Sequence, residues 1–124
     1  MVNGIEHLAI FSENTARLKN WYIAMFDFKE VYDNGKGTYF LKAQDGAMIE
    51  FCAAEGKGVD REAKVSGIRH IAISVSDFEG MVGKLRNVNV DVVAEPTESK
   101  GIKTFFFRDI DGNVLHLIDR PNPL

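Results

Sequence analysis

The feature that most constrains this chain is an internal repeat. The segment Gly4-Ile5-Glu6-His7-Leu8-Ala9-Ile10 recurs as Gly67-Ile68-Arg69-His70-Ile71-Ala72-Ile73, 63 residues later. Asp45-Gly46-Ala47-Met48-Ile49-Glu50-Phe51 recurs as Asp111-Gly112-Asn113-Val114-Leu115-His116-Leu117, 66 residues later. Two segments returning in the same order at nearly one offset mark a duplication, and a duplicated unit must fold as two like modules. Module one runs 4–53 and module two 67–119, with a polar, glycine-containing linker over 54–66. The 124 residues together amount to a single domain.

Each copy has the same internal grammar. An apolar, β-branched run opens it (Ile5 to Phe11, Ile68 to Val75), which predicts a strand. A helix follows. Leu18, Trp21, Tyr22, Met25 and Phe26 lie on one face in copy one, as do Phe78, Met81, Val82 and Leu85 in copy two. Ser76 with Glu79 has the spacing of a capping box, while Gly80 and Gly83 weaken the second helix by roughly 1 kcal/mol each. Three more strands are expected near 29–33, 37–43 and 47–53, then near 90–95, 102–108 and 113–119. The last two in each copy are joined by an Asp-Gly turn, Asp45-Gly46 and Asp111-Gly112. The fold class is α+β, two tandem βαβββ modules.

Strand parity then sorts the polar residues. If Leu8 and Ile10 lie under the first helix, His7 and Ala9 point away from it. If Ile71, Ile73 and Val75 lie under the second, His70 and Ser74 point away. The same test places Glu50 and His116 opposite the helix-side pairs Ile49/Phe51 and Leu115/Leu117. The chain has three histidines in all, and each takes one of these four repeat-related positions, with a glutamate at the fourth. Imidazole and carboxylate suit a borderline divalent ion. A hydrogen-bonded His/Glu network lining a metal-free pocket is the other reading. Cys52 shares the Glu50 face, as a buried inert thiol or as part of the same lining. Tyr39, Phe40 and Phe105 to Phe107 belong to sheet packing or to a pocket wall. Arg108 holds either an anionic group or a salt bridge to Asp109 or Asp111.

Composition narrows the partners. A net charge of −3 offers no footprint for nucleic acid or an anionic membrane. No apolar run approaches the ~20 residues of a membrane span, and Met1 to Phe11 lacks the basic start and cleavage site of a signal peptide. Cys52 is the single cysteine, so no internal disulfide forms and a cytoplasmic location is expected.

The paired Gly-Ile-x-His-x-Ala-Ile strands and the closing FFFRDIDGNVLHLIDRP (Phe105 to Pro121) resemble the vicinal-oxygen-chelate superfamily, over nearly the whole chain. That group includes glyoxalase I, methylmalonyl-CoA epimerase, extradiol dioxygenases, fosfomycin-resistance thiol transferases and bleomycin-resistance proteins. The resemblance implies a curved, partly open eight-stranded barrel with the helices outside, and a homodimer. It also implies metal ligands on the first and last strands of the modules, at His7, Glu50, His70 and His116, for Ni, Zn, Co, Fe or Mn. His116 stands where such sequences usually carry the glutamate that acts as metal ligand and base, so Glu50, its repeat counterpart, or His116 itself takes the catalytic proton. The activity implied is of lyase or isomerase type, on a small substrate whose neighbouring oxygens chelate the metal. A sequestering protein of the bleomycin-resistance type, an extradiol dioxygenase and a thiol transferase are the rivals.

Overall fold

A computed structural model describes residues 1–58 and 64–124; residues 59–63, within the expected linker, lie outside the described residues. The chain divides into two compact units, Met1–Gly58 and Val59–Leu124. The first contains β1 (His7–Ser12), α1 (Thr15–Phe26), β2 (Lys29–Asp33), β3 (Tyr39–Lys42) and β4 (Met48–Ala53). The second contains β5 (His70–Ser74), α2 (Phe78–Asn87), β6 (Asp91–Ser99), β7 (Ile102–Arg108) and β8 (Val114–Asp119). The βαβββ order expected from the repeat is present twice.

Each unit is an open four-stranded mixed sheet, in the order β1-β4-β3-β2 and β5-β8-β7-β6. The first strand pairs parallel with the last, and the remaining pairs are antiparallel. A parallel pair needs a long crossover, which the helix and the two intervening strands supply. The helix packs on one face, and there the apolar side chains gather. Leu18 and Tyr22 of α1 are fully buried with Leu41 and Phe51; Leu85 of α2 is buried with Phe105, Phe107, Leu115 and Leu117. Each contributes roughly 1.5–3 kcal/mol by leaving water.

Local chemistry sets the element ends, in places differently from expectation. The strands β1 and β5 begin at the histidines, so Ile5 and Ile68 precede them and stay 91% and 87% exposed. Asp77 caps α2, its side chain accepting from the Gly80 N–H; the Ser76/Glu79 capping box does not form, and Glu79 instead pairs with Lys103 at 2.7 Å. Asn14 caps α1 by accepting from the Arg17 N–H. Strand β6 extends to Ser99 across two register shifts, beyond the strand expected near 90–95, with Pro96 tolerated because β6 is an edge.

The Asp-Gly hairpins are longer than a two-residue turn. Gly46 N–H bonds to Ala43 O and Ala43 N–H to Ala47 O, with Gly46 at φ 94°. Gly112 bonds likewise to Asp109 O, and Asp109 N–H to Asn113 O, with Gly112 at φ 91°. This is the three-residue hairpin in which a left-handed glycine forms a bulge. Among the described residues no helix is long and apolar enough to cross a membrane.

Candidate functional site

The face opposite each helix carries the polar residues, as parity requires. In the first unit Glu50 lies in register with Ala9 on β1 and Phe40 on β3. In the second, His116 lies in register with Ala72 on β5 and Phe106 on β7. The two units therefore repeat one row: alanine, chemical residue, phenylalanine. Alanine leaves room above the sheet, and the phenylalanine walls one side.

His7 and Glu50 form the first pair. His7 Nε2 stands 3.6 Å from Glu50 Oε1, and its Nδ1 lies 2.6 Å from Glu6 Oε1. A carboxylate only accepts, so Nδ1 donates to Glu6, and Nε2 is the nitrogen turned toward Glu50. A histidine tied at one nitrogen to a carboxylate is the usual support for a metal ligand. Phe40 meets the His7 ring edge-on, with centroids 5.2 Å apart. Cys52 shares this face; its thiol pKa is raised by burial, then by the Glu50 charge and a hydrogen bond to that carboxylate. It is held protonated, which agrees with an inert thiol lining the face.

His70 and His116 form the second pair, with ring centroids 4.8 Å apart and nearly perpendicular. Phe106 stacks on His116 at 4.3 Å and meets His70 edge-on. His116 is only 7% exposed, and its Nδ1 is buried without a hydrogen-bond partner. Burial, then the neighbouring His70 and Arg69, lowers its pKa to about 4. The imidazole is thus neutral, the form that binds metal. An unpartnered buried ring nitrogen costs about 1–3 kcal/mol, a cost that a group bound there would remove. Donor chemistry and this orphaned atom both fit a borderline divalent ion.

Each pair supplies two donors, and among the described residues no group of three or more His, Cys, Asp or Glu is gathered to hold a metal. Arg108 donates to Gly112 O at 2.8 Å and lies 3.4 Å from Asp91. Of the aromatic residues, Phe40 and Phe106 wall the donor faces, whereas Phe105 and Phe107 are fully buried on the helix side.

Two neighbours were not anticipated. Glu6 and Arg69 immediately precede the two repeat histidines, and both reach back to a ring Nδ1: Glu6 to His7, and Arg69, whose Nη1 is 3.4 Å away, to His70. The repeat alignment itself displays them as the mismatch Gly-Ile-Glu-His against Gly-Ile-Arg-His. Both residues precede the strands, which begin at His7 and His70, so strand parity says nothing of them.

The family model described as the Glyoxalase/Bleomycin resistance protein/Dioxygenase superfamily matches residues 4–117. Among solved structures, a glyoxalase/dioxygenase from Nostoc punctiforme is similar at 13% identity and TM-score 0.82, covering 97% of this chain and 92% of its own. A genomically encoded fosfomycin resistance protein, FosX, from Listeria monocytogenes is similar at 16% identity and TM-score 0.77, covering 94% and 91%. A mutant of that Listeria protein complexed with Mn(II) and a dihydroxypropylphosphonic acid is similar at 14% identity and TM-score 0.78, covering 94% and 92%. A search of curated proteins found no match.

Proposed function

The chain belongs to the Glyoxalase/Bleomycin resistance protein/Dioxygenase superfamily, and from that premise we propose a metal-dependent enzyme of the glyoxalase type, acting on a small oxygen-chelating substrate by proton transfer. The proposed donors are His7, Glu50, His70 and His116, two on each module. The observation that carries the reading is the donor chemistry at the four repeat positions, with His7 Nε2 turned to Glu50 and His116 Nδ1 buried without a partner. A bound divalent ion supplies Lewis-acid stabilisation of charge developing on a substrate oxygen.

The roles of the chain's own residues follow from their settings. Glu6 fixes the tautomer of His7. His116 is held neutral by burial and by His70 and Arg69, which makes it a poor proton acceptor near neutral pH. Glu50, with 24% of its side chain exposed, takes the proton instead. Phe40 and Phe106 exclude water from the donor faces. The protein works as a homodimer in this proposal, supported by the apolar side chains of Leu8 and Phe11 left 37% and 64% exposed on β1.

Elemental analysis of protein purified without chelator tests the reading. The expected result is stoichiometric Ni, Zn, Co, Fe or Mn in the native chain and its loss in Glu50→Ala and His70→Ala. Unchanged metal content in both variants sinks it. A sequestering protein is the second reading, favoured by the stacked ring pair Phe106/His116, an apolar wall suited to a flat ligand. It requires ligand affinity that a chelator leaves intact.

A further inference from the structure

Both units keep one strand register, so the rows that cross their sheets can be matched position by position. Beside the row of Glu50 runs the row His7, Met48, Lys42, Lys29; its counterpart in the second unit is His70, Val114, Arg108, Asp91. In the second unit the last two residues carry opposite charges, and Arg108 Nε lies 3.4 Å from Asp91 Oδ2. In the first unit the same two places hold a lysine facing a lysine. Like charges directly opposite on a sheet repel, so packing within the unit does not favour this pair.

We propose that Lys29 and Lys42 form an anion site at the border of the first unit's donor face, one that takes a doubly charged phosphoryl group. Both lysines stand on that face. Leu41 is buried on the helix side while its neighbour Phe40 meets the His7 ring, so alternation turns Lys42 the way of Phe40. Glu30 reaches Lys19 of α1, so alternation turns Lys29 away from the helix. Both lysines are exposed, and among the described residues neither ammonium has an ion-pair or hydrogen-bond partner. Glu50, diagonal to Lys42 across β3 and β4, faces His7 and Cys52 instead. Lysine on an edge strand also guards against pairing with another chain, which would account for Lys29 on β2. Lys42 lies on β3, inside the sheet, where there is no edge to guard. Two ammonium groups on flexible stems match the charge of about −2 that a phosphate monoester carries near neutral pH. A carboxylate brings half of that.

That the anion belongs to a substrate rests on the enzymatic reading above; anion binding itself does not. Inorganic phosphate is titrated into the isotope-labelled full chain, as purified and after metal is removed by dialysis, against acetate at matched ionic strength. The NMR signals of the lysine side chains and the backbone are followed. Saturable movement at Lys29 and Lys42 is expected with phosphate, at lower concentration than with acetate, in both preparations. Lys29→Gln and Lys42→Gln should each weaken the phosphate dissociation constant about threefold or more. Lys100→Gln removes the same charge from the turn between β6 and β7 and should leave that constant unchanged. Shifts that follow ionic strength alone, acetate binding as tight as that of phosphate, or equal weakening in Lys100→Gln overturn the proposal. Phosphate binding at the pair in a chain that takes up no metal leaves this inference standing and removes the metal reading. Metal uptake without saturable movement at the pair overturns this inference and leaves the metal reading in place.

Discussion

At the scale of single residues, His116 concentrates the physics of the second module. It is buried, its Nδ1 lacks a partner, and its pKa falls from 6.5 to about 4. The folded value lies below the unfolded one, so on acidification the unfolded chain takes up the proton first. Stability of the metal-free protein is therefore full above pH 6.5 and lost as the pH falls from 6.5 toward about 4. The loss is on the order of 3 kcal/mol. His116→Phe, which keeps an aromatic ring against Phe106, should flatten that part of the profile, as urea midpoints across the window will show. At the first module the equivalent lever is Glu6. Glu6→Gln replaces a carboxylate with a weaker acceptor at His7 Nδ1, and metal affinity should fall about tenfold or more, measured by competition with a chromophoric chelator. An affinity equal to that of the native chain would show that Glu6 does not position His7. The candidate positions were legible in the sequence because the repeat aligns them. Their partners were not, because which neighbour meets a ring nitrogen depends on side-chain conformation in three dimensions.

At the scale of elements, the two glycines of α2 separate local propensity from context. A Cβ at Gly80 would stand 2.1 Å from Asp77 Oδ2, whereas one at Gly83 meets nothing within 4 Å. Gly83→Ala should stabilise the protein by about 0.5–1 kcal/mol through helix propensity. Gly80→Ala should bring no gain, since displacing the Asp77 cap costs about 1 kcal/mol. Thermal midpoints of the two variants test the contrast; equal stabilisation would show that the cap is dispensable. The hairpin glycines behave differently again. Gly46 and Gly112 sit at φ 94° and 91°, where a side chain strains the backbone. Alanine at either should cost roughly 1–2 kcal/mol, read from the same melts. The helices, the hairpins and the order of strands were legible because each has a local signature. The cap of α2 was misread because Ser76 and Asp77 are both competent caps, and the start of the helix, one residue later than the box requires, selects Asp77.

At the scale of the whole molecule, the duplication governs the fold and, with it, where the four proposed donors stand. A ligand that binds only the folded chain raises its stability, by about 2.7 kcal/mol at a hundredfold excess over the dissociation constant. The midpoint of unfolding should rise with Ni(II) or Zn(II), return on adding a chelator, and respond more weakly in Glu50→Ala. A metal-independent midpoint in the native chain would count against the proposed donors. The sequence by itself determined the two βαβββ modules, the face each polar residue takes and the repeat kinship of His7, Glu50, His70 and His116. Those features follow from period-two alternation, helical spacing and turn chemistry, all of which act over a few residues. Tertiary structure alone decided that Glu50 and His116 each face an alanine and a phenylalanine, that His116 is buried and neutral, and that Glu6 and Arg69 each meet the ring of the histidine that follows. These depend on register between strands distant in sequence and on burial against them, which no local pattern specifies.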